Sequence, residues 1–258
     1  MNEQVNEMYL VSTIQKAINI LNLFKEKDKY SFSEMQEVTG YNKSTLFRIL
    51  YTLEYNDYLT RDKQGRYELG INIFILGNRK TRANQLIKFS EPYLKELALN
   101  TGFTVHLGIL QKNDVIIVNK IQPDNNIQMV SRIGSSVPPH CTGQGKTLLA
   151  FSPREVVERV IRFHGMQQYT PTTITTIEEF FKELENIRDR GYAIDNSEHE
   201  RNIRCVGVPI LDNEGEVVAA MSVSGLITDF PEDLEEVDKM GRELMEVRDK
   251  ICIKMGYM

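Results

Sequence analysis

The 258-residue sequence predicts an α+β chain in two parts, a small helical unit that ends in a hairpin and a larger domain with an antiparallel sheet. Three observations predict it. Apolar residues recur at helical spacing up to about residue 58, two short apolar runs then flank a Gly-containing turn, and from Gly102 onward strand-like runs are interrupted by helical ones. The length suits two modest domains, and 41% hydrophobic and 26% charged residues with 16 Gly and 8 Pro describe a globular chain, not a disordered or fibrous one.

The elements follow in order. Ile14, Ala17, Ile18, Leu21 and Phe24 form one apolar stripe on a first helix. Ser33-Glu-Met-Gln36 matches a capping box for a short second helix, which Gly40 stops. A third helix opens at Asn42, a good N-cap residue, and turns Leu46, Ile49, Leu50 and Leu53 toward a core. Tyr58–Arg61 and Arg66–Leu69 then read as two strands around Asp62-Lys-Gln-Gly65. Three helices, a tight Gly turn between the second and third, and a hairpin make the layout of a winged helix-turn-helix, whose third helix enters the DNA major groove. At 100° per residue, Ser44, Arg48, Tyr51 and Tyr55 project away from the core, with Thr45 and Thr52 on the flank and Lys43 at the entry. These donors, without a carboxylate on the stripe, suit phosphate oxygens, and Arg48 suits a guanine edge. Arg61, Lys63 and Arg66 near the hairpin tip suit backbone phosphates. An ordinary solvated helix face is the other reading.

In the larger part, a polar helix spans about 79–90, and a further helix has Pro92 in its first turn and Gly102 past its end. Phe103–Leu110, Val115–Ile121 and Ile127–Ile133 are strand candidates. Gly143-Gln-Gly-Lys-Thr147 leads into a helical run, Ser152-Pro153 caps the next helix, and another runs from Thr176 to Arg190-Gly191. Strands Ile203–Leu211 and Glu216–Ile227 flank Asp212-Asn-Glu-Gly215, and Pro231 opens the last helix.

Composition narrows the function classes. The longest apolar run, Val217–Met221, is far short of the roughly 20 residues of a membrane span, and MNEQVNEMYL lacks a signal core, so neither membrane spanning nor secretion is expected. Cys141, Cys205 and Cys252, with no C-x-x-C pair, fit reduced thiols in the cytoplasm. Net charge is −5, but residues 1–80 carry 11 Lys+Arg against 10 Asp+Glu and residues 81–258 carry 20 against 26. A near-neutral first part and an acidic second part agree with a DNA reader joined to a sensor.

Candidate chemistry is concentrated in the larger part. Gly145-Lys-Thr147 imitates a phosphate loop, but the required opening Gly is His140 and no strand leads into it. The Gly turn still offers free amides at a helix start, where a carboxylate or phosphate rests, unless its small residues serve only packing. Strand parity puts Val218, Ala220, Ser222 and Ser224 on one face, and Cys205 with Gly207 on one face of the neighbouring strand. If these faces coincide they line a space for a small polar ligand, and otherwise another layer packs on them. A Cys-dependent hydrolase on Cys205 or Cys141 is the competing class, although no orienting third group is identifiable. Asp195, Glu198, His199 and Glu200 make a minor metal possibility without regular ligand spacing. No catalytic residue, metal or cofactor is assigned.

Several ordered segments resemble the IclR family of bacterial transcriptional regulators. They are Ser12-Thr-Ile-Gln-Lys-Ala-Ile-Asn-Ile-Leu, Lys43-Ser-Thr-Leu-Phe-Arg-Ile-Leu-Tyr-Thr-Leu and Gly65-Arg-Tyr-Glu-Leu-Gly70 in the first part. In the second they are Pro139-His-Cys-Thr-Gly-Gln-Gly-Lys-Thr-Leu-Leu-Ala150, Gly191-Tyr-Ala-Ile-Asp-Asn-Ser-Glu-His-Glu200 and Arg204-Cys-Val-Gly-Val-Pro209. The resemblance implies a winged helix-turn-helix DNA-binding domain at 1–78, linker helices at 79–100 and a GAF-like effector-binding domain at 101–258. It implies a homodimer or homotetramer on a palindromic double-stranded operator, with an organic acid or aromatic carboxylate as effector. DNA contacts are expected at Lys43, Ser44, Thr45, Arg48, Tyr51, Lys63 and Arg66, and effector contacts at Gly143, Gln144, Asp195, Cys205, Ser222 and Ser224. Gln144 and Thr147 stand where the family often has small apolar residues, which implies a more polar pocket floor. Asn202 replaces a usual Gly, and Asn tolerates a left-handed backbone better than most residues.

Overall fold

The computed structural model describes residues 9–77, 82–123, 131–231 and 233–257. Its contacts divide the chain into two units, Met1–Thr81 and Arg82–Met258.

In the first unit, α1 (Ser12–Leu23), α2 (Phe32–Thr39) and α3 (Lys43–Tyr55) precede β1 (Leu59–Arg61), β2 (Tyr67–Leu69) and α4 (Ile71–Gly77). Ile20, Met35, Leu46, Ile49, Leu50, Leu59 and Tyr67 close its core. The α1 stripe is rotated from expectation, because Ile20 is buried while Ile14 and Ile18 are exposed. The capping box is Ser31/Glu34, two residues before the expected one: Ser31 Oγ accepts the Glu34 amide at 3.2 Å, and Glu34 Oε2 accepts the Ser31 amide at 2.7 Å. Gly40 ends α2 in the left-handed conformation, φ 67°, which a Cβ would strain. Asn42 Oδ1 accepts the Thr45 amide at 2.9 Å and starts α3. Replacing Asn42 by Ala is expected to cost about 1 kcal/mol of stability, the usual worth of such a cap, read from the first unit's unfolding midpoint.

The hairpin pairs Leu59 with Leu69 and Arg61 with Tyr67, and Tyr30 bridges to Tyr67 on its other side. Its turn is built on Asp62. Burial alone raises that carboxyl, but the Arg66 and Gln64 amides and the Arg66 guanidinium outweigh it and hold it down at about 2.

The second unit runs α5 (Arg82–Thr101), β3 (Thr104–Gln111), β4 (Asp114–Ile121), β5 (Ser136–Val137), α6 (Gly143–Ala150), α7 (Arg154–His164) and α8 (Ile177–Arg190). It closes with β6 (Ala193–Asn196), β7 (Ile203–Leu211), β8 (Val217–Leu226) and α9 (Leu234–Met255). Among the described residues the sheet has six strands in the order β5-β4-β3-β8-β7-β6, and each neighbouring pair is antiparallel. The two helices expected around Pro92 are one, α5, with Pro92 inside. The lost backbone bond is offset by burial on either side, of Leu86 before it and of Leu94, Leu97 and Ala98 after it. Of the strand expected at Ile127–Ile133, residues 127–130 lie outside the described residues, 131–133 are not in a strand, and the next strand is β5.

The sheet's odd-even alternation separates two layers. Val105, Leu107, Val206, Val208, Met221 and Val223 pack with α5 and α9 in the main core. Helix α6 lies on the opposite face, against β7 and β8, and Leu149 joins it to a second core with Val157, Val160, Phe180, Leu184 and Ile187 of α7 and α8. Glycine allows the close approach: a Cβ on Gly207 would stand 2.7 Å from the Gly143 carbonyl oxygen, and one on Gly145 2.3 Å from that of Pro139. In the loop after β6 Ser197 takes the left-handed conformation, φ 59°, and the Asn202 carbonyl accepts the Ile227 amide.

Candidate functional site

In the first unit, α3 exposes Lys43, Ser44, Arg48 and Tyr51 and half-buries Thr45. Among the described residues, no ion pair or side-chain hydrogen bond engages the Lys43 ammonium or the Arg48 guanidinium, so both are available to an outside acceptor. The hairpin differs. Arg66 donates to Asp62 at 3.0 Å and to Gln64 at 2.6 Å, and Arg61 donates to Glu54 at 2.7 and 3.1 Å over the Tyr67 ring. These arginines hold the wing together, and Lys63 remains an exposed cation at its tip. The expected stripe omits Phe47, which is exposed and stacks on Tyr51, as Tyr51 does on Tyr55. Its signal in the sequence is the i, i+4 spacing of three aromatic residues.

In the second unit, the small polar faces do coincide. Asp195 of β6, Cys205 of β7, Ser224 of β8 and Thr104 of β3 form one cross-sheet row, and Gly207, Ser222 and His106 form the next. Between these rows and the start of α6 lies a cavity of about 270 Å³ whose lining includes Gly143, Gln144, Asp195, Cys205, Ser222 and Ser224. All six expected effector residues are thus brought together. Thr142 caps α6 by accepting the Gly145 amide at 3.1 Å. The Gly143 and Gln144 amides are left unbonded among the described residues, at the positive end of a helix that favours an anion.

The lining also holds residues that the sequence reading missed: His106, Ser131, Ser135, Ser136 and Thr142. They come from β3, from β5 and from the loops on either side of β5, and no periodicity links them. His106 Nε2 lies 2.8 Å from Ser131 Oγ and Nδ1 3.4 Å from Ser224 Oγ. Burial, and secondarily the charge of Lys120, push its pKa down to about 4, so the ring is neutral at pH 7. Burial lifts the Asp195 carboxyl to about 7, with Lys146 pulling it down and Glu198 pushing it up. Both candidate nucleophiles are suppressed. Burial and the Asp195 charge raise the Cys205 and Cys141 thiols, and the hydrogen-bond partners of Cys205 are Ser224 and Asp195, not an imidazole.

The family model for the IclR helix-turn-helix domain matches residues 13–63, and that for the bacterial transcriptional regulator IclR C-terminal domain matches residues 79–253. The chain belongs to the IclR family. It is a transcriptional regulator with a DNA-binding helix-turn-helix domain and an effector-binding domain. It is 32% identical to the HTH-type transcriptional regulator KdgR of Escherichia coli over 249 residues, 96% of this chain and 94% of KdgR. Among solved structures, the IclR of Thermotoga maritima has 33% identity and a TM-score of 0.76, covering 96% of this chain and all of that one. An IclR homologue from Microbacterium hydrocarbonoxydans, solved with 4-hydroxybenzoate, shares the fold with a TM-score of 0.86 at 21% identity, over 95% of this chain and 100% of that chain.

For this IclR-family chain the phosphate-loop imitation has a different use. Lys146 is 1% exposed and its ammonium lies 2.5 Å from Glu198 Oε1 and 3.7 Å from Glu183. Thr147 donates to the Gly143 carbonyl at 2.7 Å and does not line the cavity, so Gln144 alone of those two family departures makes the floor more polar. Of the residues weighed for a metal, Asp195, His199 and Glu200 line the cavity, while Glu198 turns to Lys146 and gives its amide to Asp195 at 2.7 Å. Among the described residues no group of three or more His, Cys, Asp or Glu is placed to hold a metal ion. Among the described residues no helix is long and apolar enough to cross a membrane.

Proposed function

We propose that this chain is a one-component regulator: as a homodimer or homotetramer it reads a two-fold-related duplex site with α3, and a small organic acid in the second unit sets how tightly it does so. The observation that carries the reading is a cavity lined by two unbonded helix amides and by hydroxyls, without an activated nucleophile among the described residues, on the same chain as an exposed helix with two unengaged cations. Ser131, Ser135, Ser136, Thr142, Ser222 and Ser224 line the cavity, and among the described residues its rings are the imidazoles of His106 and His199. A hydroxylated aliphatic acid suits that lining better than a flat aromatic one. The ligand is bound and released unchanged, since both thiols are held protonated. Assembly is supported by exposed apolar side chains in the first unit, Leu10, Val11, Ile14 and Ile18 on and before α1 and Ile71 and Ile75 on α4.

The test uses duplexes selected by the full-length protein from a random pool. Arg48→Ala is expected to lower affinity for the selected duplex by about 1–3 kcal/mol, the worth of a base-edge contact, in a fluorescence-anisotropy titration. Unchanged affinity with an unchanged salt slope removes Arg48 from the interface. Ser222→Phe is expected to fill the cavity, abolishing the thermal shift that small carboxylates give the wild-type chain while leaving duplex affinity intact. Loss of duplex binding in a normally folded Ser222→Phe chain contradicts the separation of roles.

A further inference from the structure

We infer that Phe47 is a specificity-determining residue that recognises thymine in the major groove through the C5 methyl group, its ring held in place by stacking on Tyr51. The inference rests on α3 being the DNA-reading helix. Phe47 is the fifth residue of that helix, within the two turns whose side chains reach base edges in this class of domain. It is 52% exposed although its ring is wholly apolar, and it flanks the outward stripe between Ser44 and Arg48.

The ring is not loose. Phe47 and Tyr51 have ring centroids 6.3 Å apart with planes at 25°, and Tyr51 and Tyr55 follow at 6.4 Å and 20°. Three offset-stacked rings at i, i+4 spacing make a ladder along one side of the helix, so Phe47 meets a partner in a set orientation with little side-chain entropy left to lose. Tyr51 and Tyr55 place their hydroxyls further along α3, where a helix crossing the groove passes phosphates.

The surroundings select DNA as the occupant over a second protein. The ladder shares its surface with Lys43, Ser44 and Arg48, and the carboxylate of Glu54, the last residue but one of the helix, is tied to Arg61. A polyanion is therefore drawn to the same surface that exposes the apolar ring. On a duplex major groove the apolar feature that a phenyl ring matches is the thymine methyl group, since the other base edges present donors and acceptors.

The experiment takes the selected duplex and replaces each thymine in turn by deoxyuridine, which removes only that methyl group. For the wild-type chain, one position in each half-site is expected to lose about four-fold in affinity, the factor that burial of one methyl group is worth. Phe47→Ala is expected to bind the thymine and uracil duplexes equally, and Phe47→Leu to keep part of the difference. Indifference of the wild-type chain to every replacement overturns the inference, as does undiminished discrimination by Phe47→Ala. A Phe47→Ala chain that changes only its oligomeric state makes the ladder a protein contact and overturns it too. Failure of any duplex to be enriched contradicts the DNA-reading role of α3 itself, which separates the two failures.

Discussion

Replacing Lys146 by Met is expected to destabilise the second unit by about 3–5 kcal/mol, the cost of leaving one member of a buried ion pair without its partner. Lys146 has 1% and Glu198 7% side-chain exposure, so water cannot take over when the ammonium is removed. Among the described residues Glu198 Oε2 has no hydrogen-bond partner, and Oε1 accepts from the Lys146 ammonium and, at 3.4 Å, from the Asn196 amide, so the ammonium is the cation that balances the carboxylate. The same loop is held from the other side. Thr170, Thr172 and Thr173 donate to the carbonyls of residues 196–198, among them Thr170 to Ser197 at 2.7 Å, and so fix the turn that carries Asp195 and Glu198. A chain with both Lys146→Met and Glu198→Leu is expected nearer wild-type stability than the single variant, because both members of the ion pair leave together. The check is the urea midpoint of the second unit. A wild-type midpoint for Lys146→Met, or a double variant as unstable as the single one, shows that the pair does not hold the loop.

Asp195 is the source of the other large effect, a pH dependence. Its carboxyl is raised from 3.8 to about 7 in the folded chain, chiefly by burial. The folded state therefore holds a proton that the unfolded chain releases above about pH 4. Stability is fullest at low pH and is lost as pH rises through about 7, a difference on the order of 4 kcal/mol at its upper limit. The groups facing Asp195 are Lys146 from α6, Glu198 and His199 from its own loop, and Cys205 from β7. Asp195→Asn carries no charge and keeps an oxygen for the Glu198 amide. It is expected to unfold at higher urea than wild type at pH 8 and at the same concentration at pH 4. Parallel pH curves for the two chains remove Asp195 from this role. The cavity's affinity for a carboxylate should also fall between pH 6 and 8 in the wild-type chain, where Asp195 turns from donor to anion, and stay level in Asp195→Asn.

How much of this was legible in the sequence depends on how local the signal is. The start of α3 and its buried face were readable because cap and periodicity lie within a few residues of each other, and strand parity placed Ser222 with Ser224 on one face of their strand and Cys205 with Gly207 on one face of theirs because alternation is a backbone property. Antiparallel register then did the rest, setting Cys205 opposite Ser224 and Gly207 opposite Ser222. Signals failed where the cause is tertiary. The four-residue edge strand β6 is too short to show a pattern, and α4 has apolar residues that the first unit leaves exposed. Lys146 imitates a phosphate loop because its partner Glu198 lies 52 residues away. The capping box moved to Ser31 because Ser31 and Ser33 both precede an acid or amide at the right spacing, and only packing decides between them.

Occupancy of the Ser222–Asp195 cavity and occupancy of a duplex by α3 are expected to be linked. The most direct test of this linkage is a pair of titrations on the wild-type chain: duplex affinity with and without a saturating carboxylate that shifts the thermal midpoint, and carboxylate affinity with and without saturating duplex. The expected result is one common factor, between about 5-fold and 150-fold, in both titrations, since linkage makes the two effects equal. Two unequal factors, or a carboxylate that fills the cavity and leaves duplex affinity unchanged, would contradict it.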